Sequence, residues 1–234
     1  MRTEAKGYFL KEYGSWSVLI VSYLIGIGVC KAFSWTAIPL FLALGLLINS
    51  KQAYTKWSRR PEDRKSLVIF VGHIAAATIV MVAVFGSGIP MILPLLIFPL
   101  AYLVMSKFAG EHSVLTEVLG FTLLSLSAVL AKFLLTGGVD VRLFVGTAAY
   151  FTAGVFKVKA LLLKKMRDRV LMALHVVFAV FVYLRMHIPV IILLPLVDNL
   201  IASAFLYKVK LRTTGWIEVG KSLIFLALFI YYYY

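Results

Sequence analysis

Apolar residues run along this chain in continuous blocks of roughly 15–20, the length of helix that crosses a bilayer core. The first block covers Ser17–Phe33, and the second follows Ser34-Trp35 and ends at Asn49. Further blocks cover Leu67–Phe85, Ile89–Met105, Thr116–Leu135, Val141–Val158, Val170–Leu184 and Ile188–Tyr207. The last starts near Trp216 and ends in the tyrosines 231–234, suited to a headgroup zone. A transmembrane β-barrel would alternate apolar and polar residues instead. The expectation is an all-α polytopic membrane protein of about nine transmembrane helices, forming one integral membrane domain over residues 1–234.

Polar punctuation sets the boundaries. The longest strongly polar run, NSKQAYTKWSRRPEDRK from Asn49 to Lys65, is expected to be a loop. So is the segment 157–169, KVKALLLKKMRDR. Gly86-Ser87-Gly88 reads as a tight turn, and Pro90, Pro94 and Pro99 recur through the fourth span. Neighbouring helices would have to satisfy the carbonyls those prolines free. Ser22 and Gly26 share one helical face, which permits close helix contact. Glu117, Gly120, Leu124, Ser127 and Ala131 form a second such stripe, expected to face other helices.

Composition strengthens this picture. With 62% hydrophobic and 15% charged residues, the chain lacks the charge a soluble surface needs. Nine spans force alternating loops, and the set containing 49–65 and 157–169 holds all but four of the 24 Lys and Arg. The exceptions are Lys31, Lys132, Arg142 and Arg185. This asymmetry implies a multi-pass plasma-membrane protein with its N-terminus cytoplasmic and its C-terminus outside. It also accounts for the net charge of +14 without a nucleic-acid partner. The single cysteine, Cys30, excludes an internal disulfide and a multi-cysteine metal site. No cleavage site closes an N-terminal apolar stretch, so a cleaved signal peptide is not expected.

An ionisable group inside a span costs about 2.5–3.5 kcal/mol even on the milder insertion scale, so each one asks for a reason. His73, Glu117, His175 and Asp198 with Asn199 fall in the halves of their spans nearest the basic loops. They define a polar cavity open to the cytoplasm, or each bonds a neighbouring helix. Glu12 and Glu218 sit at expected helix starts, where a carboxylate complements the helix dipole; for Glu218 that capping role is the preferred reading. Arg59, Arg60, Arg64, Lys157 and Lys159 have the chemistry of a phosphate clamp, although topology alone would supply them. No Walker loop, HExxH, GxSxG or CxxC is present. His73, His175 and Asp198 have no spacing that argues for a metal, and no metal or cofactor is expected.

Lys11-Glu12-Tyr13-Gly14-Ser15-Trp16, leading into the first span, resembles the (K/R)EHGAW opening of the YwiC-like integral membrane family, with Tyr13 where histidine is expected. Glu117-x-x-Gly120, Phe156-Lys157-Val158-Lys159 and the link from Lys210 to Gly215-Trp216 are also similar to that family. No established activity comes with the resemblance. A more distant one is to UbiA-type prenyltransferases, which implies a nine-helix bundle with a cytoplasm-side cavity. Asn49 and Arg60-Pro61 match its first motif, but Ser50, Ala53 and Trp57 stand at the aspartate positions. Its second aspartate motif is replaced by the basic segment 157–169, where Asp168 is the only acid. Those aspartates hold Mg²⁺ on a diphosphate, so Mg²⁺-dependent prenyl transfer is not expected, and any enzyme here would be a divergent transferase.

The leading expectation is therefore a membrane protein with a basic-rimmed cytoplasmic cavity. Its ligand would be an isoprenoid- or quinone-related membrane lipid with an anionic head. Glu12, Asn49, Arg60, His73, Glu117, Lys157, His175, Asp198 and Asn199 are the candidate binding residues. The alternatives are a small proton-coupled transporter using Asp198, His73 and His175, or a non-catalytic structural or assembly subunit. No internal repeat supports the transporter. Oligomeric state is not legible.

Overall fold

The computed structural model describes residues 13–205 and 211–233, with the side chains of 211 and 212 excepted. It is all-helical, without strands among the described residues. Ten α-helices follow one another among those residues: α1 (Tyr13–Gly28), α2 (Ala37–Arg59), α3 (Arg64–Phe85), α4 (Ile89–Ile92), α5 (Ile97–Phe108), α6 (Val114–Thr136), α7 (Val141–Leu163), α8 (Met166–Arg185), α9 (Val197–Ala204) and α10 (Leu211–Tyr232). Short 3₁₀ segments occupy Gly86–Gly88, Leu93–Leu96 and Val190–Leu196.

Four described helical stretches are long and apolar enough to cross a membrane: Arg64–Phe108, Val114–Thr136, Val141–Leu163 and Thr213–Tyr232. Tyr13–Gly28 and Val190–Ala204 are shorter apolar helices. The first stretch has 45 residues, about 68 Å at 1.5 Å per residue and about twice a hydrocarbon core. Gly86, at φ +51°, leaves the helical region and divides it where the sequence places a turn. The structure thus supplies a helical counterpart to each apolar block.

Four expected details are corrected. The run 49–65 is mostly helix, because α2 continues through Arg59. Its Lys, Gln and Ala residues are good helix formers, and Pro61 is what stops it. Arg60, held extended before that proline (φ −140°, ψ 84°), ends the helix, and only 60–63 remain as a connection. Asp63 then caps α3, accepting from the Ser66 amide at 3.2 Å and the Ser66 hydroxyl at 2.5 Å. Those bonds hold its carboxyl below the usual carboxylate range. The segment 157–169 is likewise helical apart from Lys164-Lys165, with Lys164 left-handed at φ +54°. The fourth and eighth spans are not continuous α-helices. Pro94 and Pro195 sit in the 3₁₀ stretches that break them.

The described residues form two compact units, one of Tyr13 and 33–91, the other of 14–32 and 92–233. In the first, α2 packs along α3, with the Tyr54 and Phe70 rings 5.5 Å apart. In the second, α7 is central, touching α6, α8 and α9. Its core includes Tyr150, stacked on Phe225 of α10 at 3.6 Å, with Phe151 and Phe229 beside them. The fully buried Tyr183 of α8 donates to the Gly146 carbonyl at 3.0 Å. The Ser22–Gly26 face meets α6: a Cβ on Gly26 would lie 2.1 Å from the Ala128 carbonyl oxygen. The Ser127 hydroxyl donates to Leu19 O at 3.2 Å in the same contact, so the two small-residue stripes interlock.

Candidate functional site

Within the second unit, three helices bring four charges together. Lys157 lies on α7, Asp198 in the first turn of α9, and Glu218 and Lys221 one turn apart on α10. The Lys157 ammonium donates to Asp198 and, at 2.6 Å, to Glu218. Lys221 donates to Glu218 at 3.1 Å, lies 3.2 Å from Asp198, and donates to the Asn199 side-chain oxygen at 2.5 Å. Each lysine therefore touches both carboxylates, making a ring that is charge-balanced among the described residues. The lysine side chains are 1% and 8% exposed, whereas Asp198 and Glu218 are 30% and 32% exposed. The ring has buried cations and an open acidic side.

Local sequence explains the assembly. Pro195 keeps Val190–Leu196 in 3₁₀ form, so a fresh α-helix starts at Val197 with Asp198 in its first turn. The successive residues Asp198 and Asn199 then point toward α7 and α10, and Asn199 also donates to Ala153 O at 3.5 Å. Lysine near a helix end can reach for water along its own stem. Lys157 instead is wholly buried and paired.

The other candidates are not members of this ring. His175 of α8 has its Nε2 3.0 Å from Ala149 O and 3.2 Å from the Thr152 hydroxyl, and its ring stacks on Phe156 at 4.7 Å. Glu117 of α6 pairs with Lys159 at 3.1 Å, two residues beyond Lys157 on α7. In the first unit, Asn49 is buried and donates to Gly45 O at 3.0 Å, Arg60 is exposed at the end of α2, and the buried His73 Nδ1 has no hydrogen-bond partner among the described residues. Glu12 lies outside the described residues. The reading of Glu218 as a helix cap is corrected: α10 begins at Leu211, which places Glu218 two turns inside, as a ring member. Lys157 is corrected from a loop cation to a buried one. Lys221, which sequence reasoning counted only as a topological charge, belongs to the ring. Its spacing from Glu218 (i, i+3) was the one available signal.

A second feature occupies the other side of α9. An apolar groove of about 360 Å³ is lined by Val176 and Val180 of α8 and by Val190, Leu194, Val197 and Leu200, among others. At 100° per residue, Val197 and Leu200 lie across α9 from Asp198 and Asn199, so groove and ring are separate. On α8, Arg169 falls on the Val176 stripe two turns earlier, and its guanidinium donates to Ser203 O and Ala204 O at 2.6 Å each. Lys165, exposed, immediately precedes α8.

At the far end of α7, Asp140 accepts from the Leu143 amide at 3.0 Å, from Lys132 at 2.5 Å and from the Tyr233 hydroxyl at 3.0 Å. Burial alone would raise its carboxyl, but Lys132 and these bonds outweigh that and hold it below the usual range.

The sequence model of the YwiC-like protein family matches residues 10–132, more than half of the chain. The chain belongs to the YwiC-like family. The match takes in the 11–16 opening and Glu117-x-x-Gly120, while the similar stretches at 156–159 and 210–216 lie beyond it. No curated protein and no solved structure matches. The wider likeness to UbiA-type prenyltransferases thus rests on sequence motifs alone. Family and apolar helices together make this YwiC-like chain a membrane protein. Among the described residues, no group of three or more His, Cys, Asp or Glu gathers at a metal-sized site.

Proposed function

We propose that this YwiC-like protein binds a membrane lipid of the isoprenoid or quinone-related class, with an anionic head. The observation that carries the reading is the apolar groove between α8 and the broken Val190–Ala204 segment, with Arg169 two turns before Val176 on α8 and Lys165 just ahead of that helix. From Val176 to Arg169 is about 10 Å along the helix, which puts basic chemistry within reach of one end of the groove. The sequence offered Arg59, Arg60, Arg64, Lys157 and Lys159 for the head. Asp198 and Glu218 already meet the Lys157 charge, and beside the groove the role falls to Arg169 and Lys165. One guanidinium nitrogen of Arg169 has no bond to the Ser203 and Ala204 carbonyls and suits a phosphate oxygen.

The charge split supports a plasma-membrane orientation with the N-terminus and the α2–α3 connection cytoplasmic. The basic end of α8 is then cytoplasmic too, where anionic headgroups concentrate. Native mass spectrometry of protein extracted gently from its own membranes tests the reading. A bound lipid should be retained by the wild type, lost when Val176→Trp or Leu200→Trp fills the groove, and weakened by Arg169→Gln. Equal lipid occupancy in all four proteins would leave a membrane subunit without a specific ligand.

A further inference from the structure

The charged ring of α7, α9 and α10 lies on the opposite face of α9 from the groove, and the lipid reading makes no use of it. We propose that Asp198 and Glu218 form a proton-exchange site, taking up one proton against the fixed positive charges of Lys157 and Lys221.

The connectivity of the ring supports this assignment. A simple buried ion pair cannot take a proton without stranding its partner, since a neutralised carboxyl leaves a buried lysine uncompensated. Here each lysine is held by both carboxylates. Protonating either one leaves both lysines in contact with the other, and Asn199 adds a neutral acceptor for Lys221. The step forms one O–H bond with a proton from water, and the ring passes from neutral to a single positive charge. The carboxylates are also the members open to exchange, being about one-third exposed while the lysines are buried.

The neighbouring polar groups are already engaged. On α7, Tyr150 lies within hydrogen-bond reach of Ser222 of α10. Ser222 itself donates to the Glu218 carbonyl. From α8, His175 is engaged with Ala149 O and Thr152. From α6, Glu117 is engaged with Lys159. Glu218 ties α10 to α7 beside the Tyr150–Phe225 stack, and Asp198 ties the short α9 to both. A proton on either therefore loosens a contact between helices, which is the element a proton-linked movement needs. Ionic helix glue would place the same residues together without any exchange, so the two roles separate by titration.

The test uses the full chain in lipid nanodiscs and infrared difference spectra between about pH 8 and about pH 4. Spectra of the wild type are compared with those of Asp198→Asn, Glu218→Gln, the double variant and Glu117→Gln. Eight other Asp and Glu also gain protons as pH falls, so the ring is read as the excess of the wild-type protonated-carboxyl band over the double variant's. That excess should shrink in each single ring variant and survive in Glu117→Gln. A wild-type spectrum that differs from the double variant's by no carboxyl band overturns the proposal. Thermal melts identify any variant that fails to fold. If the double variant does, the difference between wild type and either single variant decides the question in the same way.

Discussion

Lys157 of α7 and Glu218 of α10 stand 61 positions apart in the chain and meet at 2.6 Å, with the lysine side chain 1% exposed. Lys157→Met should leave a carboxylate without its counter-charge and lower stability by about 3 kcal/mol, the low end for breaking a buried pair because Glu218 is a third open. Lys157→Met combined with Glu218→Gln restores charge balance and should recover part of the loss. Unfolding in detergent measures the cycle. A double variant as unstable as the sum of the singles would mean that the two residues do not act together.

Gly26 and Gly28 lie on the same helix but should tolerate alanine differently. A Cβ at 26 meets the backbone of Ala128 and the Ala131 Cβ at 2.8 Å. Neither can step aside, so Gly26→Ala should cost about 2 kcal/mol through separation of α1 from α6. A Cβ at 28 meets only the Ile230 side chain, Cδ1 at 2.2 Å and Cγ1 at 2.6 Å, atoms that a rotamer change can move. Gly28→Ala should therefore shift the melting temperature less. The reverse ranking would argue against the α1–α6 contact.

Asp140, at the opposite end of α7 from the ring, carries a pH-dependent share of stability. Its carboxyl is held below the usual value, so its stabilising contribution is complete above about pH 4 and is lost as pH falls through the lower folded value. Asp140→Asn should flatten the acid side of the stability profile below about pH 4 and leave the neutral side lower but parallel. Tyr233→Phe removes a single donor to Asp140 and should move the profile the same way by less. An acid limb unchanged in Asp140→Asn would show that other carboxylates control it.

From the charge split, the C-terminus is expected outside. A reporter that is active only in the cytoplasm, fused after Tyr234, should be silent, and the same reporter fused ahead of Met1 should be active. Activity at both ends would remove one membrane crossing from the topology.

Much of the architecture was legible because each apolar block is selected locally. A bilayer selects continuous apolar length, and length is written directly in the sequence, as in Val114–Thr136 and Val141–Leu163. The small-residue faces of Ser22–Gly26 and Ser127–Ala131 were legible for a similar reason: close helix approach demands small side chains. Polar runs were harder. Lys, Arg and Gln are good helix formers, so polarity at 49–59 marked the membrane edge and not the end of α2.

The candidate site was legible only in part. Asp198, Asn199 and Lys157 stood out as polar residues beside or within apolar blocks, yet their pairing with one another, with Glu218 and with Lys221 did not. Sequence alone determined the all-helical membrane class, the rhythm of spans and the asymmetry of charge, since each follows from composition and spacing along one segment. Tertiary structure decided that Lys157 and Lys221 are buried between Asp198 and Glu218, and that α9 separates this ring from the apolar groove. Those facts depend on how α7, α9 and α10 are rotated against one another. That rotation is settled by side-chain packing between residues tens of positions apart, as in the stacking of Tyr150 on Phe225.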